Sequence, residues 1–238
     1  MNPRAFDASE LPDPMESFRG VTRLFPLPNL VLFPGVLVPL HIFEPRYRQM
    51  VADAMESDRL ITMVLLKKGP VEEYEDSAPI YDTGCLGHIL HHEFLPDGRS
   101  NLILRGLCRV RLDTEEPSDR LYRTARVTVL EDRYGEDTPA TLIPQRGALH
   151  EMLQEILSLS GRSRDVQKLE AMNQMPLGNY CDLLCHWLGL EAAVKQTLLA
   201  EVQVSARADT LQAWMQAMLE TLRRREDSTG SGRAFSQN

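Results

Sequence analysis

Nothing in the 238-residue sequence approaches the roughly 18 consecutive apolar residues that a membrane-spanning helix needs. The first 20 residues are polar and proline-punctuated, without the apolar core of a signal peptide. Cysteine is scarce. Four in a chain of this size do not make a disulfide scaffold, so reduced thiols and a cytoplasmic location are expected. Positive charge is not in excess either: the formal net charge of -8 opposes non-specific binding to nucleic acid or anionic membrane, though a local basic patch stays possible. The phosphate-loop pattern GxxxxGK(S/T) is absent, so ATP hydrolysis by that machinery is not expected, and GxGxxG, HExxH and GxSxG are missing too. No cofactor motif is left among these patterns.

What is present is ordinary for a globular chain: 43% apolar and 25% charged residues, enough length for a real core, and one or two domains. The most informative stretch is LFPLPNLVLFPGVLVPLHIFEPRYRQM at residues 24–50. Proline has no N–H and a fixed φ, so Pro26, Pro28, Pro34 and Pro39 cannot all sit in central strands. They mark strand ends, bulges and edges of a small, strongly bent sheet. From Pro45 the period changes: Tyr47, Met50, Val51, Ala54 and Met55 fall on one helical face. Pro45 suits the first turn of that helix, which should end near residues 57–58.

The pattern is mostly β from residue 21 to about 133, with strand-like runs at 60–66, 85–94, 100–104, 107–112 after a break at Arg105-Gly106, and 122–131. Pro96-Asp97-Gly98 signals a hairpin turn, and residues 71–82 read as a solvated acidic loop. Beyond Pro144 the apolar spacing is helical through 225. The expected organisation is therefore a flexible leader at 1–20, a β domain at 21–133, a linker at 134–143, a helical subdomain at 144–225 and a disordered tail at 226–238.

Several residue groups invite chemistry. Cys181 and Cys185 lie one helical turn apart beside His186, but a structural zinc site needs four ligands, and both cysteines fall on a leucine stripe. Buried thiols in a metal-free core are the expectation. On a regular strand His88 and His92 share a face and His91 points the other way, so three imidazoles do not converge. Arg105, Arg109 and Arg111, with Arg99, offer a polar strand face able to accept a backbone or acidic group. The apolar loop carrying Leu30, Leu32 and Phe33 either plugs a barrel end or presents an apolar surface to a partner. These six residues, Leu30, Leu32, Phe33, Arg105, Arg109 and Arg111, are the candidate partner-binding positions.

Three segments together resemble the amino-terminal, substrate-binding domain of ATP-dependent Lon protease: residues 24–55, residues 81–112 and residues 122–132. Pro26-Leu27, then Val31 to Pro34, then Pro39 to Glu44 follow that family's strand–turn–strand pattern, with the helix from Pro45-Arg46-Tyr47 after them. Gly84, Gly87, Asp97-Gly98, Arg105-Gly106 and Arg109 match its later strands, and Leu177, Leu183-Leu184 and Leu188 its helical half. The resemblance spans residues 21 to 225. It implies an α+β fold: a PUA-like β pseudo-barrel with one packed helix, followed by an all-helical subdomain, related also to the Lon-like domain of cereblon. It further implies a non-enzymatic module that binds unfolded or extended polypeptide or a partner protein. Lacking a Walker motif, the sequence resembles the stand-alone proteins of this family, and an RNA-binding PUA-like module is the alternative.

Overall fold

The structure is a computed structural model and describes residues 13–16, 18–67, 78–136, 139–162 and 175–233. Residues 71–77 of the expected 71–82 acidic loop, most of the leader and the last five residues lie outside that set, while residues 80–82 of that loop are strand and not loop. The chain divides into two compact units, residues 1–129 and 130–238.

The first unit is a bent sheet. Its strands are β1 (Val21–Leu27), β2 (Leu37–Ile42), β3 (Leu60–Leu66), β4 (Ile80–Phe94), β5 (Ser100–Glu116) and β6 (Thr124–Leu130), with helix α1 (Pro45–Met55) between β2 and β3. The order is β2-β5-β4-β3-β1-β6, and β5 pairs with β6 as well, which closes β5, β4, β3, β1 and β6 into a barrel. β2 hangs on β5 outside that ring. β1 and β3 are parallel neighbours, so the chain must cross over between them, and α1 lies in that crossover.

Two register shifts shape the sheet. Leu86 pairs with Cys108 but Gly87 pairs with Gly106, so Leu107 is an unpaired bulge on β5. Ile89 pairs with Leu104 but His91 with Ile103, which makes Leu90 a bulge on β4. The inner face of the barrel is lined by Leu24, Leu60, Val64, Leu86, Val110, Ala125 and Val127, with Cys108 and Leu112 against them. The Thr62 hydroxyl donates to that of Thr22 within this face at 2.9 Å, satisfying two buried polar groups. Met15 and Phe18 also pack on this cluster, so the described end of the expected leader belongs to the core.

The outer face is covered as well, which explains why β3 (LITMVLL) is apolar at nearly every position: it is a strand buried on both sides. Phe25 meets the α1 residue Tyr47 edge-on at 4.5 Å between ring centroids, and the Tyr47 hydroxyl donates to the Pro26 carbonyl at 2.9 Å. α1 starts at Pro45 as its period predicts and ends at Met55. Arg23 fastens the turn that follows, donating to Asp58 at 2.8 Å, to the Leu60 carbonyl at 3.1 Å and to Ser57 at 2.6 Å.

The second unit holds α2 (Pro139–Leu159), α3 (Leu177–Trp187), α4 (Ala192–Ala200) and α5 (Val204–Arg233). Leu149, Leu153, Ile156 and Leu157 of α2, Tyr180, Cys181, Leu184 and Cys185 of α3, and Leu211, Met215 and Leu219 of α5 are all buried. α2 begins before Pro144 instead of after it. A proline this close to the start removes one intrahelical hydrogen bond without ending the helix. α5 runs to Arg233, past the point where a disordered tail was expected.

Arg133, the last residue of the expected β domain, is tied to the segment before α5: its N–H donates to the Val202 carbonyl at 2.8 Å, and its carbonyl accepts from the Val204 N–H at 2.9 Å. Beside them the Arg207 side chain is fully buried. It donates to Asp132 at 2.7 Å and to the Glu201 carbonyl at 3.3 Å, and lies 3.5 Å from Asp182. Gly178 has no Cβ because one would overlap the Asp132 carboxylate.

Phe33→Ala should cost about 3–5 kcal/mol, because Phe33 is fully buried and the surrounding sheet cannot collapse onto the gap. Urea unfolding of the two proteins measures it. Arg207→Ala removes the buried cation that faces the Asp132 and Asp182 carboxylates and should cost about 3–5 kcal/mol, read from the unfolding of the helical unit.

Candidate functional site

The two faces of the sheet decide where each candidate residue points. Side chains alternate along a strand, and a bulge reverses the parity beyond it. On β5 the bulge at Leu107 therefore puts Arg105 on the inner face and Arg109 and Arg111 on the outer one. Arg105 is exposed, Arg109 is buried at 2% exposure, and Arg111 is exposed and engaged with Asp113 at 3.2 Å. The single basic face expected from an unbroken alternation is not formed. Arg99 is occupied by Asp97 at 2.6 Å.

The second bulge does the same to the histidines. Leu90 brings His88 and His91 to the inner face and leaves His92 on the outer, the reverse of the grouping expected from a regular strand. Burial lowers the His88 pKa, helped by Arg59 and Arg105, and burial with His91 and Arg59 lowers that of His92. Both rings are held towards the neutral form. Among the described residues no three His, Cys, Asp or Glu side chains converge on a point that could hold a metal ion. Cys181 and Cys185 are buried thiols, and burial pushes the Cys108 thiol up to about 11.

The apolar loop does not offer its side chains outward. Leu32 and Phe33 are 1% and 0% exposed, and Leu30 is half-buried. The Phe33 carbonyl lies against Gly106, where a Cβ would overlap it, while Gly35 and Gly106 bond across the contact at 2.9 Å. Leu32 and Phe33 thus fill the core and cannot reach a partner from this position.

The exposed apolar surface lies elsewhere, where the inner face runs beyond the closed ring. Register places Leu37, Pro39 and His41 of β2 opposite Arg105, Ile103 and Asn101 of β5, and the last two opposite His91 and Glu93 of β4. Leu37, Ile103 and Phe43 are 52%, 38% and 60% exposed, large values for such side chains. A polar chain crosses the patch: His41 Nδ1 is 2.8 Å from the Asn101 amide oxygen, and the Asn101 amide nitrogen donates to Glu93 at 3.1 Å. Phe43 stacks on His41 with centroids 6.2 Å apart.

β2 also ends the sheet, with β5 its one partner among the described strands. The Gly106 N–H donates to the Val36 carbonyl, so Val36 directs its carbonyl towards β5 and sets the phase of the ladder. Bonded pairs alternate in an antiparallel ladder, so positions 37, 39 and 41 direct their backbone groups away from β5. Pro39 falls where its missing donor breaks no ladder bond. Sequence reading passed over these residues because residues 36–43 are apolar at odd and even positions alike, so period gave no direction; the signal available was Pro39, which marks an edge.

Comparison with known proteins agrees with this architecture. The model of the ATP-dependent protease La (LON) substrate-binding domain matches residues 21–217, and the chain belongs to that family. It is 27% identical over 199 residues to Lon protease 2 of Herpetosiphon aurantiacus, covering 84% of this chain and 24% of that protein. With the Lon protease of Dictyoglomus thermophilum it shares 29% over 208 residues, 85% of this chain and 25% of the relative. The chain thus spans about a quarter of the length of these relatives. Among solved structures, a Lon N-terminal domain protein from Xanthomonas campestris superposes with a TM-score of 0.60 at 24% identity, covering 82% of this chain and 98% of the other. The N-terminal domain of a Mycobacterium avium complex Lon protease gives 0.63 at 16% identity over the same shares. No described helix is long and apolar enough to cross a membrane.

The His88 and His92 rings should titrate below their ordinary value of 6.5 in an NMR pH series. Their folded pKa values are depressed, so the stability they confer is complete above the unfolded value and is lost as pH falls through the folded ones. A thermal midpoint that declines between pH 7 and pH 5, less so in a His88→Gln/His92→Gln variant, checks the sign.

Proposed function

We propose that this chain is a non-enzymatic recognition module that binds extended polypeptide on the exposed sheet formed by β2, the start of β5 and the end of β4. The observation that carries this reading is the run of exposed apolar side chains, Leu37, Ile103 and Phe43, ending at an open strand edge. Apolar groups with a few fixed polar neighbours give sequence-tolerant contact, and unpaired edge groups can bond the backbone of any chain in extended form. Pro39 interrupts that edge and limits uncontrolled strand-on-strand association. Membership of a substrate-binding family supports the reading, as does a relation to Lon proteases whose remaining length lies outside the matched part. Arg105 sits beside Leu37 in register and adds a cation to the same surface. Leu30 and Arg111 are left as accessory positions.

Titration of the protein with a fluorescently labelled, permanently unfolded polypeptide tests the proposal. Binding should be salt-tolerant, and a Leu37→Asp/Ile103→Asp variant should weaken it at least about tenfold, the equivalent of about 1.4 kcal/mol and less than the burial of one large apolar side chain provides. Unchanged affinity in a variant that remains folded would reject this surface.

A further inference from the structure

On the other face of the same sheet, a cleft of about 470 Å³ opens between α1 and the β4–β5 hairpin. Pro45, Val51 and Ala52 form one wall, and His92 and Phe94 the opposite one, with Arg48 between them. Phe94 is 70% exposed, the most exposed of the described large apolar side chains. The two walls are therefore mostly apolar and a single full charge serves the cleft.

Two nearby carboxylates are already engaged: Arg46 holds Glu44 at 2.9 Å, and Arg99 holds Asp97 at 2.6 Å. The Gln49 side chain, also in the lining, accepts from the Leu121 N–H at 2.8 Å. The Arg48 guanidinium has no acidic partner among the described residues. It lies over Gly98, where a Cβ would overlap it, and this glycine also has the positive φ of 80° that its turn requires. The turn is closed by Gly98 N–H to the Leu95 carbonyl at 2.9 Å and by Leu95 N–H to the Arg99 carbonyl at 2.8 Å. Burial holds His92 towards neutrality, so it offers a ring and not a second cation.

An apolar cleft with one unpaired cation suits a ligand that brings one negative charge and one apolar group from the same centre. We propose that it receives the free C-terminal end of an extended polypeptide, with the terminal carboxylate on Arg48 and the last side chain against Phe94. This rests on the polypeptide-binding reading and adds a chain-end preference to it. An internal Asp or Glu fits less well, because its side chain would be spent on Arg48 while its two flanking peptide groups met the apolar walls without hydrogen-bond partners. A guanidinium accepts a carboxylate through paired N–H donors, which adds direction to the charge.

Four ten-residue peptides of common sequence test this by fluorescence anisotropy: one ending in a free leucine carboxylate, its C-terminal amide, the amide with aspartate at the penultimate position, and the free acid with a terminal glycine. The native chain should prefer the leucine acid over its amide about tenfold. Arg48→Gln should remove that preference, and Arg48→Lys should restore part of it. Phe94→Ser should abolish the advantage of leucine over glycine. Equal binding of acid and amide would overturn the chain-end assignment while leaving polypeptide binding standing. Full rescue of the amide by aspartate would overturn it in favour of an internal acid. If no peptide binds at all, the recognition surface itself is rejected along with the cleft.

Discussion

The barrel unit depends on one backbone contact. The loop that carries Phe33 presses its carbonyl onto Gly106, and the Leu107 bulge follows immediately on β5. No residue with a Cβ fits there, since the overlap would be with backbone and could not be relieved by a side-chain rotation. The bend at this point lets one edge of β5 serve two partners in turn, β2 along its first half and β6 along its last. Thr128 and Arg126 of β6 reach Asp113 and Glu116 at 2.7 and 2.8 Å, which ties the second half of β5 to the closing strand. Without the bend the sheet would run on with β2 and β6 competing for the same ladder.

The same bend separates the two surfaces of functional interest. Within the ring the inner face is a packed apolar core, whereas beyond the ring the identical face is open and carries Leu37, Ile103 and Phe43. The outer face is closed over Phe25, Tyr47 and Phe33 but leaves a cleft where α1 and the hairpin diverge. One sheet thus supplies an exposed strand edge and, on its opposite side, a bounded pocket. A chain lying along β2 and a chain end seated beside Arg48 are chemically different modes of contact with the same kind of ligand.

The helical unit is organised by a different kind of constraint. A fully buried guanidinium must find acceptors, and Arg207 finds them on Asp132, Asp182 and the Glu201 carbonyl, groups drawn from a strand-like segment, α3 and the residue after α4. A buried ionic cluster of this sort adds little net stability compared with an apolar core, but breaking it is costly. Its geometric demands give register to helices whose leucine stripes would otherwise pack in several ways. Gly178 is required for the same reason, because α3 must approach Asp132 closely.

Much of this was legible in the residues alone. Proline spacing in residues 24–50 announced a bent sheet, the change of period at Pro45 announced α1, and leucine spacing announced the helical half, because these are local properties of φ, of missing N–H groups and of side-chain spacing. The α+β class and the family follow from the same stretches. What local pattern could not supply was the face on which a side chain ends up. Arg105, Arg109 and Arg111 look like one stripe, and His88 and His92 look paired, until the bulges at Leu107 and Leu90 reverse parity between them. A bulge is set by what the strand packs against, here the Phe33 loop against Gly106, and that partner is about seventy residues away in the chain. Burial of Leu32 and Phe33, exposure of Leu37 and Phe94, and the isolation of Arg48 were likewise decided by tertiary contact, since an apolar or charged residue has the same local preferences whether or not another segment comes to cover it.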